Sequence, residues 1–289
     1  MRRLLVYIAL IVCCCGANAQ LLYEISGNGL SKPSFLFGTH HLVSSEVTKD
    51  IPGVFRAFND CSAVVGEFVD NSAYEDPAET ELKILSAAKM ELSIFDLLSD
   101  KEEMLVDSAL QAELGLTLSE MQYYRPNMLT LIYEMTMAER LGKQDNMSID
   151  AYFQVAANEL GMAVYGLETI EKQVEMMFRS NPIERQAKRL VESIRNGDTI
   201  KKEYEKIEIL YKEGNLEKLY ELLVEEDDMS EVEKFLLIDE RNRDWMPLLE
   251  KYIKKEACFV AVGALHLPGE EGLINLLKKA GYKVKAVNK

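Results

Sequence analysis

The same short pattern occurs near both ends of the chain: an apolar run followed by Gly-x-x-His-Leu. The first copy spans Phe35–Leu42 and the second spans Phe259–Leu267. All three histidines of the chain lie in these two copies. An apolar run predicts a buried strand, and a glycine at its end permits turns that other residues avoid and leaves room for a ligand. We therefore expect the two copies to meet in space and to hold a metal or a catalytic pair.

Further apolar runs predict a sheet built from both ends of the chain. Between about Pro77 and Pro247 the pattern is almost wholly helical, with Met162–Gly166 as a short candidate strand. The predicted fold is α/β (α+β), a central mixed β-sheet with a large helical insertion. One domain is expected over 20–289, with a β-rich core at 20–76 and 248–289 and the insertion at 77–247. The other predicted strands are Leu21–Ser26, Ser34–Thr39, Ser62–Phe68, Cys258–Val262 and Lys283–Val287.

The first residues are typical of a secretory signal peptide. Two arginines precede an apolar run, Leu4–Cys15, and Ala17-Asn18-Ala19 matches a cleavage site. We expect cleavage after residue 19 and a mature protein in the periplasm or outside the cell. Lipidation at a cysteine of this run is the less favoured alternative, because Val12 before Cys13 is bulky for a lipidation signal. No later stretch is long and apolar enough to predict a membrane helix.

The charge of the chain bears on its partners. The sequence has 33 basic and 48 acidic residues, and removal of Arg2 and Arg3 with the signal peptide changes the net charge from −15 to −17. Such a surface repels nucleic acid and anionic lipid, so we predict neither as a partner.

Two cysteines remain after cleavage, Cys61 and Cys258. Each lies five residues before a strand glycine, Gly66 or Gly263. They are able to pair in an oxidising compartment if their strands are neighbours. Two buried, unpaired thiols are the favoured interpretation.

Histidine is the commonest metal ligand and the usual general base near neutral pH. His41 and His266 each occupy the fourth position of Gly-x-x-His, which favours function over a purely structural role. His40 is the weaker candidate, because it points the opposite way from His41 on an extended strand. Glu67 follows Gly66 at the end of a strand and is the candidate acid. Two histidines and one carboxylate match an open catalytic metal site, and a metal-free His/Glu pair that activates water is the alternative.

Arg241 is predicted on a helix face that also carries Leu237, Ile238 and Trp245. A charged group on an apolar face needs a partner. Arg241 either faces an anion or a substrate carbonyl in the site, or lays its apolar stem over the core.

Other classes of site are excluded by the sequence, which contains no phosphate-binding glycine loop, no Gly-x-Ser-x-Gly elbow, no Cys-x-x-Cys and no His-Glu-x-x-His.

Taken together, the motifs of this chain resemble those of the TraB/GumN family, which includes the Tiki proteins. The segments that carry the resemblance are Gly38–Leu42, Val65–Glu67, Ser148–Asp150, Gly166–Thr169 with Gln173, Glu240–Asn242 and Gly263–Gly269. The resemblance implies an α/β core of the Tiki, ChaN and erythromycin-esterase kind with a helical insertion. It also implies a hydrolase that depends on a divalent metal such as Mn, Co or Zn.

By the same resemblance, His41, Glu67 and His266 become the expected catalytic and metal-binding residues, with His40 as an alternative ligand. Arg241 and Asn242 are expected to face the site, and Glu168 and Gln173 to support it. We therefore predict an exported metal-dependent hydrolase, in particular a peptidase acting on a peptide or protein substrate. The alternatives are a non-enzymatic metal- or haem-binding protein of the ChaN type and a peptide-binding protein.

Overall fold

Six strands form a single sheet in the computed structural model, which describes residues 20–40, 43–69, 77–140, 148–226 and 229–287. The predicted signal peptide lies outside the described residues, as does His41. The strands are β1 (Leu22–Ser26), β2 (Ser34–Thr39), β3 (Ala63–Gly66), β4 (Ala163–Gly166), β5 (Cys258–Gly263) and β6 (Lys283–Ala286).

The order of the strands across the sheet is β4-β3-β5-β2-β1-β6. The pairs β2/β5, β3/β5 and β3/β4 are parallel, whereas β1 pairs antiparallel with both β2 and β6. This topology confirms the predicted mixed sheet with strands from both ends of the chain. It also confirms the short strand inside the helical part, because β4 extends the sheet beyond β3.

The apolar runs of the two copies of the repeated pattern are neighbours, as predicted. In the parallel pair β2/β5, Phe35 lies beside Phe259 and Thr39 beside Gly263. Parallel central strands are buried on both faces and therefore read as continuous apolar runs. Every residue of β2 and β3 is buried accordingly. The carboxyl ends of β2, β3 and β5 thus lie side by side at one edge of the sheet.

Twelve α-helices surround the sheet within the described residues. They are α1 (Val54–Asn59), α2 (Pro77–Ala87), α3 (Asp100–Leu114), α4 (Pro126–Arg140), α5 (Ile149–Glu159), α6 (Ile170–Arg179), α7 (Ile183–Arg195), α8 (Gly197–Lys212), α9 (Leu216–Tyr220), α10 (Glu231–Lys234), α11 (Glu240–Lys255) and α12 (Leu273–Lys279). No helix of the described chain is long and apolar enough to cross a membrane.

The helix that carries Arg241 is interrupted by a wider turn. A capping box formed by Ser230 and Glu233 begins α10, and a π-helical segment, Phe235–Asp239, joins α10 to α11. A second π-helical segment, Glu221–Glu226, follows α9. Such segments are rare and often lie at functional sites. Here the segment 235–239 ends two residues before Arg241.

Gly38 of β2 is required by a close approach of two chain segments. A Cβ atom at this position would lie 3.1 Å from the Cα atom of Ala264 and 3.2 Å from a methyl carbon of Leu267. The buried hydroxyl of Tyr211 donates a 2.7 Å hydrogen bond to the carbonyl of Gly38. This contact fixes α8 against the end of β2, beside the site described below.

Cys61 and Cys258 are both buried and unpaired. Burial raises the pKa of each thiol to about 12, with smaller contributions from nearby negative groups. The thiolate is the reactive form of cysteine, so both thiols are expected to be inert in the folded protein. A protein that begins at Gln20 should show almost no reaction with a thiol reagent at pH 8 and two equivalents after unfolding in guanidinium. Rapid labelling of the native protein would contradict this prediction.

Candidate active site

Glu67, Arg241 and His266 come together at the carboxyl edge of the sheet. Glu67 follows β3, His266 ends the 3₁₀ turn that follows β5, and Arg241 lies on α11. Only 6 % of the surface of Glu67 is exposed, 7 % of Arg241 and 5 % of His266. Three polar side chains from distant parts of the chain therefore share one buried position, and the contacts between them must satisfy their charges.

Arg241 is the centre of this cluster. Its Nη2 donates to Oε2 of Glu67 at 2.6 Å and to Oε1 of Glu168 at 2.7 Å. Its Nε donates to the other oxygen of Glu168 at 3.2 Å. Its Nη1 contacts the carbonyl of Leu237 at 3.0 Å and Nε2 of His266 at 3.1 Å. A guanidinium has five N–H groups, so every donor of Arg241 has an acceptor.

Glu67 is held at both carboxylate oxygens. Oε1 accepts a 2.8 Å hydrogen bond from the backbone N–H of Gly263, and Oε2 accepts from Gln173 at 2.8 Å in addition to Arg241. The absence of a side chain at Gly263 matters for this approach, because a Cβ atom there would lie 3.1 Å from Oε1. Glu67 thus ties together the ends of β3 and β5.

The hydrogen bonds around His266 define its tautomer. The amide nitrogen of Asn242 donates to two carbonyls, those of His266 at 3.2 Å and of Glu271 at 2.8 Å, so the amide oxygen faces the imidazole. That oxygen lies 2.7 Å from Nδ1 of His266, which must therefore carry the proton. Nε2 is then the acceptor from Arg241, and it lies 3.8 Å from Oε1 of Glu67. The structure thus places a basic nitrogen inside the cluster.

Trp245 closes one side of the cluster. Its ring centroid lies 4.4 Å from that of His266, and the guanidinium of Arg241 lies 4.6 Å from the centre of the tryptophan ring. The indole N–H donates to Oε2 of Glu168 at 3.0 Å. Trp245 follows Arg241 by four residues on α11, so one turn of helix supplies both the cation and the wall against which it packs.

The charges of the cluster do not cancel. Burial by itself would lower the pKa of Arg241, but the carboxylates of Glu67 and Glu168 together raise it above its ordinary value. With a neutral His266, one cation therefore faces two carboxylates. The cluster has a net charge of −1 on these side chains, and an anionic ligand would enter it against this charge.

A cavity of about 370 Å³ opens beside the cluster. Glu67, Arg241 and His266 line it, together with methionine and leucine side chains from α6, α9, the two π-helical segments and residue 229. The volume lies within the range of ligand-binding pockets. The polar cluster is therefore in contact with a space large enough for part of a substrate.

The structure describes three of the four predicted catalytic residues. Glu67, Arg241 and His266 are brought together, whereas His41 lies outside the described residues. His40 lines the cavity, and its ring packs edge-on against Tyr211 at 6.0 Å. Asn242 faces the site as expected.

The apolar lining of the cavity was not predictable from the sequence. Its leucines and methionines have the spacing of ordinary core residues, and nothing in that spacing identifies them as a pocket wall. Glu168 was expected as a support, and the structure gives it three hydrogen bonds with Arg241 and Trp245.

The donor chemistry of Glu67 and His266 fits a divalent metal. A metal-binding histidine commonly donates its second ring N–H to a fixed oxygen, as His266 does to Asn242. The 3.8 Å between Nε2 and Oε1 of Glu67 is short enough for both atoms to bind one ion. Arg241 Nη1 would first have to leave Nε2. The described part of the chain, which excludes His41, contains no group of three metal-binding side chains suitably placed for an ion.

Comparison with known proteins identifies the family but no individual relative. No curated protein and no solved structure matches the chain. The model of the TraB/PrgY/gumN family matches residues 21–286, which include all six strands and the whole polar cluster. The chain therefore belongs to the TraB/PrgY/gumN family.

Proposed function

We propose that the protein is a hydrolase that cleaves an acyl bond, in particular a peptide bond, in the cavity beside His266. The observation that carries the proposal is the tautomer of His266. Asn242 holds the proton on Nδ1, so the lone pair of Nε2 faces the buried cluster that contacts the cavity. Nε2 accepts a hydrogen bond from Nη1 of Arg241 there, and it becomes a base once Nη1 moves away.

The side chains suggest how the chain itself would serve the reaction. Nε2 of His266 would take a proton from water as the water oxygen attacks the carbonyl carbon, and would return that proton to the leaving amine. Oxygen Oε1 of Glu67, 3.8 Å from Nε2, would stabilise the transient imidazolium. The single lone pair of Nε2 accepts from Nη1 of Arg241, so Nη1 would have to turn away before the water binds there, and its released N–H group would become a donor for the developing oxyanion.

A divalent metal, Mn, Co or Zn, is the proposed cofactor of the alternative mechanism. Glu67 and His266 would hold it, with His41 as the third ligand or His40 in its place. When bound, the metal would supply a water of lowered pKa and polarise the substrate carbonyl. The tautomer of His266 supports this form, and its contact with Arg241 supports the metal-free form.

The decisive experiment measures cleavage of a mixture of unstructured peptides by the purified protein. We expect hydrolysis and a loss of about 10²–10⁴-fold in kcat/KM for His266→Ala, because a general base or metal ligand is removed. Met104→Ala, an exposed change on α3, is the control and should be fully active. Inhibition by a chelator with recovery on adding Mn²⁺, Co²⁺ or Zn²⁺ would support the metal-dependent form, and activity indifferent to chelator would support the metal-free form.

Two outcomes would contradict the proposal. Full activity of His266→Ala would remove the residue on which it rests. Metal or haem uptake without any turnover would instead support a binding protein.

A further inference from the structure

Two arginines lie close together where α4 begins and α6 ends. Arg125 directly precedes α4, and Arg179 is the last residue of α6. The side-chain amide of Asn127 donates to the carbonyl of Met177 at 3.1 Å, and α4 and α6 share one buried apolar cluster with α2. These contacts hold the two helix ends together, so both guanidiniums belong to the same small part of the surface.

Neither guanidinium has a partner among the residues that the structure describes. The side chains of Arg125 and Arg179 form no hydrogen bond or ion pair there, and Nε of Arg125 is shielded from water without an acceptor. Glu175, exposed one turn before Arg179 on α6, forms no ion pair with it in the described structure. Burial lowers the pKa of Arg125, and the positive charge of Arg179 adds to this effect. Two like charges therefore lie near each other without an anion, which is unfavourable.

The buried carboxylate of the adjoining network is already shared by two other arginines. Glu233 accepts a 2.8 Å hydrogen bond from Asn181, which follows Arg179 by two residues. It also forms ion pairs with Arg185 at 3.0 Å and with Arg189 at 3.3 Å, and Nη2 of Arg189 is buried without an acceptor in the described structure. This network therefore has an excess of positive charge as well. The junction of α4, α6 and α7 is cationic, although the whole chain has a net charge of −15.

We propose that Arg125 and Arg179 bind a phosphate group, either free phosphate or a phosphate ester. Each guanidinium presents a planar set of N–H groups that fits phosphate oxygens, and the positive end of the α4 dipole lies beside Arg125. A phosphate dianion matches the two positive charges, whereas a carboxylate neutralises only one of them. Repulsion from the acidic remainder of the chain is screened beyond about 8 Å at physiological ionic strength. Neither arginine lines the cavity beside His266 in the described structure, so this site is independent of the proposed hydrolysis.

Calorimetric titration of inorganic phosphate into the purified protein, at pH 8 and constant ionic strength, tests the site. We expect saturable binding to wild type. Arg125→Gln and Arg179→Gln should each weaken this binding by about tenfold or more, because charge-assisted hydrogen bonds are lost. Arg56→Gln is the matched control, since it removes the same charge from α1, where the side chain of Arg56 is 88 % exposed. The affinity of this control for phosphate should equal that of wild type.

Two other anions define the ligand. Methyl phosphate that binds as tightly as phosphate would extend the site to phosphate esters, and failure of methyl phosphate to bind would restrict the site to the free ion. Acetate should bind about tenfold more weakly, because it neutralises only one guanidinium. Arg179 is exposed, so Arg179→Gln decides the question even if circular dichroism shows that Arg125→Gln does not fold. Absence of saturable phosphate binding would overturn the proposal, as would an affinity that Arg179→Gln leaves unchanged, that Arg56→Gln lowers equally or that acetate matches.

Discussion

Replacing Arg241 with methionine is expected to lower the free energy of unfolding by about 3–5 kcal/mol, because two buried carboxylates lose their cation. Glu67 is 6 % exposed, and the side chain of Glu168 is 1 % exposed. Methionine retains much of the apolar volume of the arginine stem, so the loss would arise chiefly from unpaired charge. Five hydrogen bonds from one side chain disappear with the guanidinium.

Urea unfolding followed by circular dichroism measures this effect. Arg243→Met is the matched control, because Arg243 lies two residues further along α11 and its 2.8 Å ion pair with Glu271 is exposed to solvent. Little change is expected for it. The free energy of unfolding of Arg241→Lys should lie between those of Arg241→Met and Arg243→Met, since a lysine keeps the charge but not the planar set of donors. Equal stability of Arg241→Met and wild type would show that Arg241 does not organise the cluster.

The second large effect concerns a buried carboxylate away from the cavity. The side chain of Glu233, on α10, is 1 % exposed, and it accepts hydrogen bonds from Asn181 at 2.8 Å and from the backbone N–H of Ser230 at 2.8 Å. Arg185 and Arg189 of α7 form ion pairs with it at 3.0 and 3.3 Å. This carboxylate therefore joins α10, which precedes Arg241, to α7.

Burial alone would raise the pKa of Glu233, but its hydrogen bonds from Asn181, Ser230 and Arg185 outweigh burial and lower the pKa to about 2. A folded-state pKa below the unfolded value stabilises the fold above the unfolded pKa of about 4.3. That contribution should be lost progressively as the pH falls from about 5 towards 2.

Glu233→Gln is expected to cost about 2 kcal/mol at pH 7, because charged hydrogen bonds are replaced by neutral ones. It should also flatten the loss of stability between pH 5 and pH 2. Unfolding free energies measured across this range provide the test. Glu231→Gln, an exposed change in the same helical turn, is the control and should preserve the acid dependence. A Glu233→Gln profile parallel to that of wild type would contradict the assignment.

Much of the sheet is predictable from the sequence because its central strands are buried on both faces. Continuous apolar runs such as Phe259–Val262 are typical of central strands in a parallel sheet. A glycine at the end of each run also indicates where the strand ends and polar side chains follow. Because the runs that precede Glu67 and His266 both end in this way, the sequence predicts that these two side chains lie near one another. The capping box at Ser230 was predictable for a local reason, since its donors and acceptors lie within one turn.

Features that depend on how helices dock on the sheet were not predictable in the same way. Thr117 and Glu120 make the reciprocal contacts of a capping box, yet turns follow them and α4 begins only at Pro126. The reason is tertiary, because Met90 and Arg125 use their backbone N–H groups to bond Tyr123 and Ala88, which ties this stretch to the end of α2. The contact of Arg241 with Nε2 of His266 depends likewise on where α11 packs.

Every N–H group of the Arg241 guanidinium has an acceptor, and this has a consequence for how the protein folds. Its acceptors include Glu67, Glu168 and His266, so only a fragment that spans residues 67–266 contains all the partners of the guanidinium. Contacts between such distant segments form late, because the entropy of closing long loops must be overcome first. The cluster is thus complete only when β5 and the turn that carries His266 have joined the sheet, and a chain that ends before them lacks it.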